Sequence, residues 1–393
     1  MRRLLVLTGA VVFLDTLFFS AIAPLLPRYA DDFGLTKAAA GVLAGAYPAG
    51  TLVAAIPAVL VAMRIGVKGA LLLGLGLLAV SSVAFGLGES IVVLDVSRFV
   101  QGAAGALCWS GSLAWLIGSA PVDRRGALIG TSLGMAVGGS LLGPALGTAA
   151  VQFGDVPVFS AVAAAALALA AWAATMPGRP GAAEAASPRA LFVGLRDRSV
   201  QAAGWLNTLY GLAFGAVGVL VPLRMSSLGA SGAVIGLTFA LGALGEMVAS
   251  PLAGRLADRG TRLSPVRVAL PASALVLALL PVAGAAWSVA VLAVLSGPAV
   301  GALLAPAGAM LADAASALGI GQVVAVALSN VAWSAGEMAG AAGAGGLAQA
   351  TSDAVPYALL CAACVGTTLA LRRGTRIARA ADAARAGAGA GAP

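Results

Sequence analysis

GRPGAAEAASPRALFVGLRDRSV, residues 178–200, is the longest polar stretch between apolar runs in a chain of 393 residues, and it falls almost at the middle. Its glycine, prolines and clustered charges read as a linker. On both sides of it the composition is that of a membrane protein: 60% of the chain is hydrophobic and 10% charged, against roughly 25% charged in soluble domains, and the mean hydropathy is +1.00. A helical span needs about 20 largely apolar residues to cross the hydrocarbon. Back from the seam such runs lie near 157–177, 126–150, 91–118, 68–88, 39–62 and 4–26; forward of it they lie near 201–223, 232–253, 265–284, 287–311, 321–347 and 355–371. The runs lack the strict alternation of a transmembrane barrel. The sequence therefore predicts an all-α membrane protein of about twelve transmembrane helices in two pseudo-symmetric six-helix bundles, 1–177 and 201–372. A cytoplasmic linker, 178–200, joins them, and the low-complexity tail 373–393, ending AGAGAGAP, is expected to be disordered.

The start, Met1-Arg2-Arg3 before an apolar run, imitates a secretory signal, but Asp15 inside the run and Pro24 after Ala21-Ile22-Ala23 argue against cleavage, so the segment reads as a retained first span. Of the 23 Lys and Arg residues Arg98 falls inside a span, and with the N-terminus inside only Arg28, Lys37 and Arg224 fall outside, which leaves nineteen on the inner side. That bias predicts an even number of spans and cytoplasmic termini in a multi-pass protein of the cell (inner) membrane. The net charge of +8 is this sidedness and forms no single patch, so no nucleic-acid partner is expected.

Internal repetition supports the division. Leu14-Asp15-Thr16-Leu17-Phe18 matches Leu206-Asn207-Thr208-Leu209-Tyr210, Gly105-Ala106-Leu107 matches Gly301-Ala302-Leu303, and the loop Met63-Arg64-Ile65-Gly66 corresponds to Asp258-Arg259-Gly260, all at six-span spacing. The chain has no histidine, and Cys361 and Cys364 lie in the last apolar run without further ligands, so no metal or cofactor is expected. Without histidine a serine–histidine dyad is impossible, and the chain is not expected to be an enzyme.

Four motifs resemble those of the major facilitator superfamily. GRLADRGTR, 254–262, is similar to its signature loop; the resemblance implies a cytoplasmic gate of Gly254, Asp258, Arg259 and Arg262, in which Asp258 latches onto the other half. The copy after the second span keeps Arg64 and Gly66 but has Val59 and Met63 where Gly and Asp are expected. RFVQGAAGA, 98–106, resembles the family's fourth-span motif, and the counterpart of Arg98 in the second half, counted back from Gly297, is Ala293. GGSLLGPALG, 138–147, with Gly139, Gly143, Pro144 and Gly147, resembles the fifth-span motif of proton-coupled exporters, and VVFLDTLFFSAIAPLLPRYADDFG resembles first spans of drug and amine exporters.

Charges inside the membrane mark function by default, because each costs at least about 2.5 kcal/mol to place there. Asp15 is near mid-span and Arg98 about 10 Å into its own at 1.5 Å per residue. Glu246 and Glu337 are the other deep acids. The functional reading gives Asp15 and Arg98 proton coupling, assisted by Glu337 or Glu246; the structural reading ties each acid to a neighbour, with Glu246 bracing the loop beside it. Phe18, Trp109, Trp205, Tyr210 and Trp333 suit an apolar cavity, a lipid-facing position or packing, and Trp115 suits an interfacial belt. The resemblance then implies a proton-coupled exporter of small hydrophobic or cationic compounds, working as a monomer in the bilayer by alternating access of the two halves. A metabolite importer or uniporter, or a non-transporting sensor or scaffold on the same fold, remains open.

Overall fold

A computed structural model describes residues 2–119, 125–177, 193–320 and 322–389 of the chain. Helices make up its regular structure, and no strand occurs among the described residues. Of the expected linker, 178–192 lies outside the described residues; span 7 begins at Arg198, capped by Asp197, whose side chain accepts from Ser199 N and Val200 N.

Nine of the described helices are long and apolar enough to cross a membrane. They resolve into twelve spans once three departures from plain hydropathy are read. Lys37–Gly86 runs for 50 residues, but Gly66 sits at φ 79°, ψ 161°, a conformation only glycine adopts readily, so spans 2 and 3 are joined through a single residue. Val266–Val282, span 9, is short. Gln322–Ala350, span 11, is diluted by glycine, serine and polar residues, which lowers its hydropathy without shortening it.

The remaining spans are whole or broken at predictable places. Span 1 is Arg2–Ser20 followed by Ile22–Asp32, bent where Pro24 cannot donate to the preceding turn. Span 10 breaks at Ala302 and Leu303, between Ala286–Gly301 and Leu304–Ala317, with Pro298 and Pro306 on either side. Spans 4, 5, 6, 8 and 12 are Ile91–Ser119, Arg125–Phe153, Asp155–Thr175, Gly232–Arg259 and Ala354–Gly389. The last of these continues past the expected end of span 12, with helical backbone to Gly389, in a stretch rich in alanine and arginine, which are strong helix formers.

The duplication is visible in how the bundles pack. Thr16 of span 1 donates to Ala136 O of span 5 at 2.9 Å, and Thr208 of span 7 donates to Ala332 O of span 11 at 3.1 Å. Glycines let both pairs approach backbone to backbone. A Cβ on Gly139 would stand 2.4 Å from Phe13 O, and one on Gly336 would stand 2.2 Å from Thr208 O. Spans 2 and 11 join the halves across the middle, and spans 5 and 8 join them at the side. On the face opposite the termini this contact is backbone to backbone: a Cβ on Gly41 would lie 2.6 Å from Ala341 O, and one on Gly345 would lie 2.4 Å from Lys37 O. Lys37 Nζ also meets Asp353 Oδ1 at 2.5 Å. Toward the termini, contact is through side chains such as Ile56, which packs on the cluster of Leu311, Ile320 and Leu328.

Candidate functional site

Asp15 is completely buried in span 1, faced by spans 2 and 4. Its Oδ2 accepts from the Tyr47 hydroxyl at 2.9 Å and from Trp109 Nε1 at 3.1 Å, while Oδ1 has no partner. Gly105 makes the room: a Cβ there would sit 2.6 Å from the Tyr47 oxygen and 3.0 Å from Asp15 Oδ1. Two hydrogen bonds to a charged group contribute about 1.5–3 kcal/mol each and are comparable with an insertion cost of about 2.5–3.5 kcal/mol. Neither charge state of Asp15 is excluded by energy.

Arg98, 1% exposed, does not bond to Asp15 among the described residues. It donates to Gln101 Oε1 at 2.8 Å and to Phe19 O at 3.2 Å, and its guanidinium lies 5.4 Å from the centre of the Tyr47 ring. Tyr47 is thus the side chain shared by the acid and the base, its hydroxyl on one and its face toward the other. Nε of Arg98 and Nε2 of Gln101 are buried without partners. Glu337, 4% exposed in span 11, lies within electrostatic range of Arg98 across the boundary between the halves, and its Oε2 has no partner. Glu246 accepts from Tyr210 at 2.6 Å; it belongs to a pair inside the second half and is no brace for the loop at 254–262.

A file of aromatic rings crosses between the two polar pairs. Tyr47 and Phe19 are 4.6 Å apart, Phe19 and Phe214 6.2 Å, Phe214 and Tyr210 5.9 Å, and Trp333 meets Phe19 edge-on at 5.8 Å. Tyr47, Phe19 and Phe214 are the residues that sequence reasoning passed over. Tyr47 carried a signal, a lone aromatic inside the small-residue run Ala44-Gly45-Ala46-Tyr47-Pro48-Ala49-Gly50. Of the other aromatics, Phe18 and Trp205 take the packing and outward-facing places also open to them, and Trp115 departs from expectation. Phe18 packs with Phe85 and Phe159 away from the polar pairs. Trp115 is 2% exposed in the core instead of at an interface. Trp205 lies exposed and donates to Thr367.

At the termini face Asp258 pairs with Arg262, four residues on, and Arg262 Nε also donates to Asp313 at 3.0 Å. Those carboxylates, Asp313 foremost, hold the exposed Arg262 guanidinium above the usual arginine range. All three belong to the second half, so among the described residues Asp258 is engaged at home. A Cβ on Gly254 would stand 3.4 Å from that of Ala305 in span 10, and Arg259 ends span 8. Gly66 is the turn described above; Arg64 beside it is exposed, and Lys68 donates to Ala174 O and Met176 O, capping span 6. The fifth-span glycines form one strip under span 1. A Cβ on Gly143 would stand 2.6 Å from Leu17 O and one on Gly147 2.1 Å from Ala21 O, while Pro144 O accepts from Thr148 at 2.9 Å. Cys361 and Cys364 are free, and no group of metal ligands occurs among the described residues.

Two related six-helix bundles that meet around buried charges define a multi-pass membrane protein. Comparison with known proteins agrees: the family model described as Major Facilitator Superfamily matches residues 8–206 and again 203–390. The chain belongs to the major facilitator superfamily. It is 27% identical over 136 residues, 35% of this chain and 35% of the relative, to the quinolone resistance protein NorA of Staphylococcus aureus. It is also 27% identical over 163 residues, 40% of this chain and 34% of the relative, to the MFS-type transporter ppzB of Metarhizium rileyi. The matched stretch thus spans about a third of each curated relative. A crystal structure of a D-xylose–proton symporter superposes with a TM-score of 0.73 at 16% identity, covering 93% of this chain and 96% of that one, which shows the shared fold.

Proposed function

We propose that this transporter exports small hydrophobic or cationic compounds in exchange for protons, with Asp15 as the proton site and both termini in the cytoplasm of an inner-membrane protein. The observation that carries the reading is the Asp15 carboxyl. It is fully buried, two donors hold Oδ2, and Oδ1 is free to take a proton. Arg98 reads the change through Tyr47, and Glu337 places a second acid on the opposite half within electrostatic reach of the same guanidinium. The partial likeness to a quinolone resistance protein supports export of a drug-like compound.

The test is flux in proteoliposomes under an imposed pH gradient, using a panel of lipophilic cations. Wild-type protein should accumulate substrate against its gradient, and Asp15→Asn should abolish accumulation while leaving exchange of substrate for substrate intact. Full proton-driven transport by Asp15→Asn would remove the assignment, and indifference of the wild type to the pH gradient would favour a uniporter.

A further inference from the structure

The second half holds a polar pocket that proton coupling at Asp15 leaves unused. Tyr210 Oη donates to Glu246 Oε1 at 2.6 Å. A Cβ on Gly301 would stand 2.4 Å from Glu246 Cγ, so this glycine of span 10 makes room for Glu246 as Gly105 of span 4 makes room for Asp15. Those two glycines are the pair that the internal repeat matches.

One turn before Tyr210 lies Asn207. It is fully buried, and neither its Oδ1 nor its Nδ2 has a partner. In the repeat it takes the place of Asp15, and its spacing of three residues puts it on the same side of span 7 as Tyr210, whose hydroxyl meets Glu246. One turn after Tyr210, Phe214 stacks at 6.2 Å on Phe19, which meets Trp333 at 5.8 Å. The pocket therefore joins an unpaired amide and a carboxylate to an aromatic wall at the boundary between the halves.

We propose that Asn207, Tyr210 and Glu246 receive the charged nitrogen of the substrate, and that this nitrogen carries N–H groups, as in a primary or secondary ammonium on an aromatic body. The chemistry selects for donors. Asn207 Oδ1 and the Glu246 carboxylate are acceptors, and an unpaired acceptor in a dry site is satisfied by an N–H and not by a methyl. Aromatic faces alone attract a quaternary ammonium equally well, so discrimination rests on the amide and the acid. The halves then divide the work, with the proton on Asp15 and the substrate's nitrogen on the second-half pocket. The inference deepens the export reading but needs only binding.

The experiment is equilibrium binding to purified protein in lipid nanodiscs, with 4-phenylbutylamine and its N,N,N-trimethyl derivative as the matched pair. The amine should bind about tenfold more tightly than the trimethyl compound, the equivalent of one charge-assisted hydrogen bond. Asn207→Ala should erase most of that preference while leaving trimethyl binding within about twofold, since it removes a hydrogen-bond acceptor and no charge, whereas Glu246→Gln should weaken both cations, through lost Coulomb attraction, and narrow the preference. Asn207→Ser, smaller but still an acceptor, serves if the alanine variant fails to fold, and should retain part of the preference. Equal or tighter binding of the trimethyl compound, no binding of either, or an unchanged preference in Glu246→Gln overturns the proposal. Equilibrium binding is measured without a pH gradient, so the proton assignment to Asp15 is read only by flux and amine recognition at Asn207 only by binding, and the two readings fail separately.

Discussion

At the scale of single residues, Gly105 sets the acid in place. A methyl there would come 2.6 Å from the Tyr47 hydroxyl and 3.0 Å from Asp15 Oδ1, and both obstructing atoms are ends of side chains able to swing away. Gly105→Ala is therefore expected to fold, with a thermal midpoint in detergent close to wild type, and to lose proton-driven flux because the carboxyl and its donor are pushed apart. Tyr47→Phe isolates the hydrogen bond. Losing one donor to a charged group, about 1.5–3 kcal/mol, should slow proton-driven uptake by tenfold or more, while Trp109→Phe, removing the longer bond, should slow it less. If Tyr47→Phe transports at the wild-type rate, Tyr47 is not the link between Asp15 and Arg98. The charges themselves were legible in the sequence, since an Asp and an Arg inside apolar runs cannot be overlooked. Their relation was not. Arg98 turns to Gln101, three residues along its own helix, and to a carbonyl of span 1; which neighbour a long side chain selects depends on helix rotation, which hydropathy does not encode.

At the scale of elements, hydropathy placed twelve spans within a few residues of the helices, because the cost of unpaired backbone in lipid leaves the chain little choice. It missed where helices break or continue. A single glycine replaces the loop between spans 2 and 3, and span 10 divides at Ala302. The glycine motif of span 5, whose resemblance implies a bend and close packing on its neighbours, forms a contact surface under span 1. Its counterpart in span 11, Gly336 and Gly340 against Thr208 O and Leu212 O, lay hidden in a run so rich in alanine and glycine that no motif stood out. The obstructing atoms along both strips are largely backbone, so substitution there should act on stability before function. Gly143→Val, aimed at Leu17 O and Ser20, should lower stability by about 1–3 kcal/mol through overpacking, read as a drop in thermal midpoint and in folded yield. A variant as stable as wild type yet inactive would show instead that span 1 slides along span 5 during transport.

At the scale of the whole molecule, the halves are held differently at the two membrane faces. Opposite the termini, spans 2 and 11 touch through backbone at Gly41, Gly45 and Gly345, and Lys37 bridges to Asp353 and, through its backbone N–H, to Gln349 Oε1 at 3.2 Å. On the termini face Asp258, Arg262 and Asp313 are satisfied inside the second half. The glycine seam shuts the first face, and the proposed export requires it to open. A Cβ on Gly45 would stand 3.6 Å from that of Ala341, within the spacing of about 3.5–4.5 Å that a disulfide spans. Gly45→Cys with Ala341→Cys, in a background where Cys108, Cys361 and Cys364 are replaced by alanine, should therefore cross-link under mild oxidation in the membrane. The cross-linked protein should lose flux in both directions, and dithiothreitol should restore it. Continued transport by fully cross-linked protein would mean that the seam between spans 2 and 11 stays closed throughout the cycle, and that the opening lies between spans 5 and 8 alone.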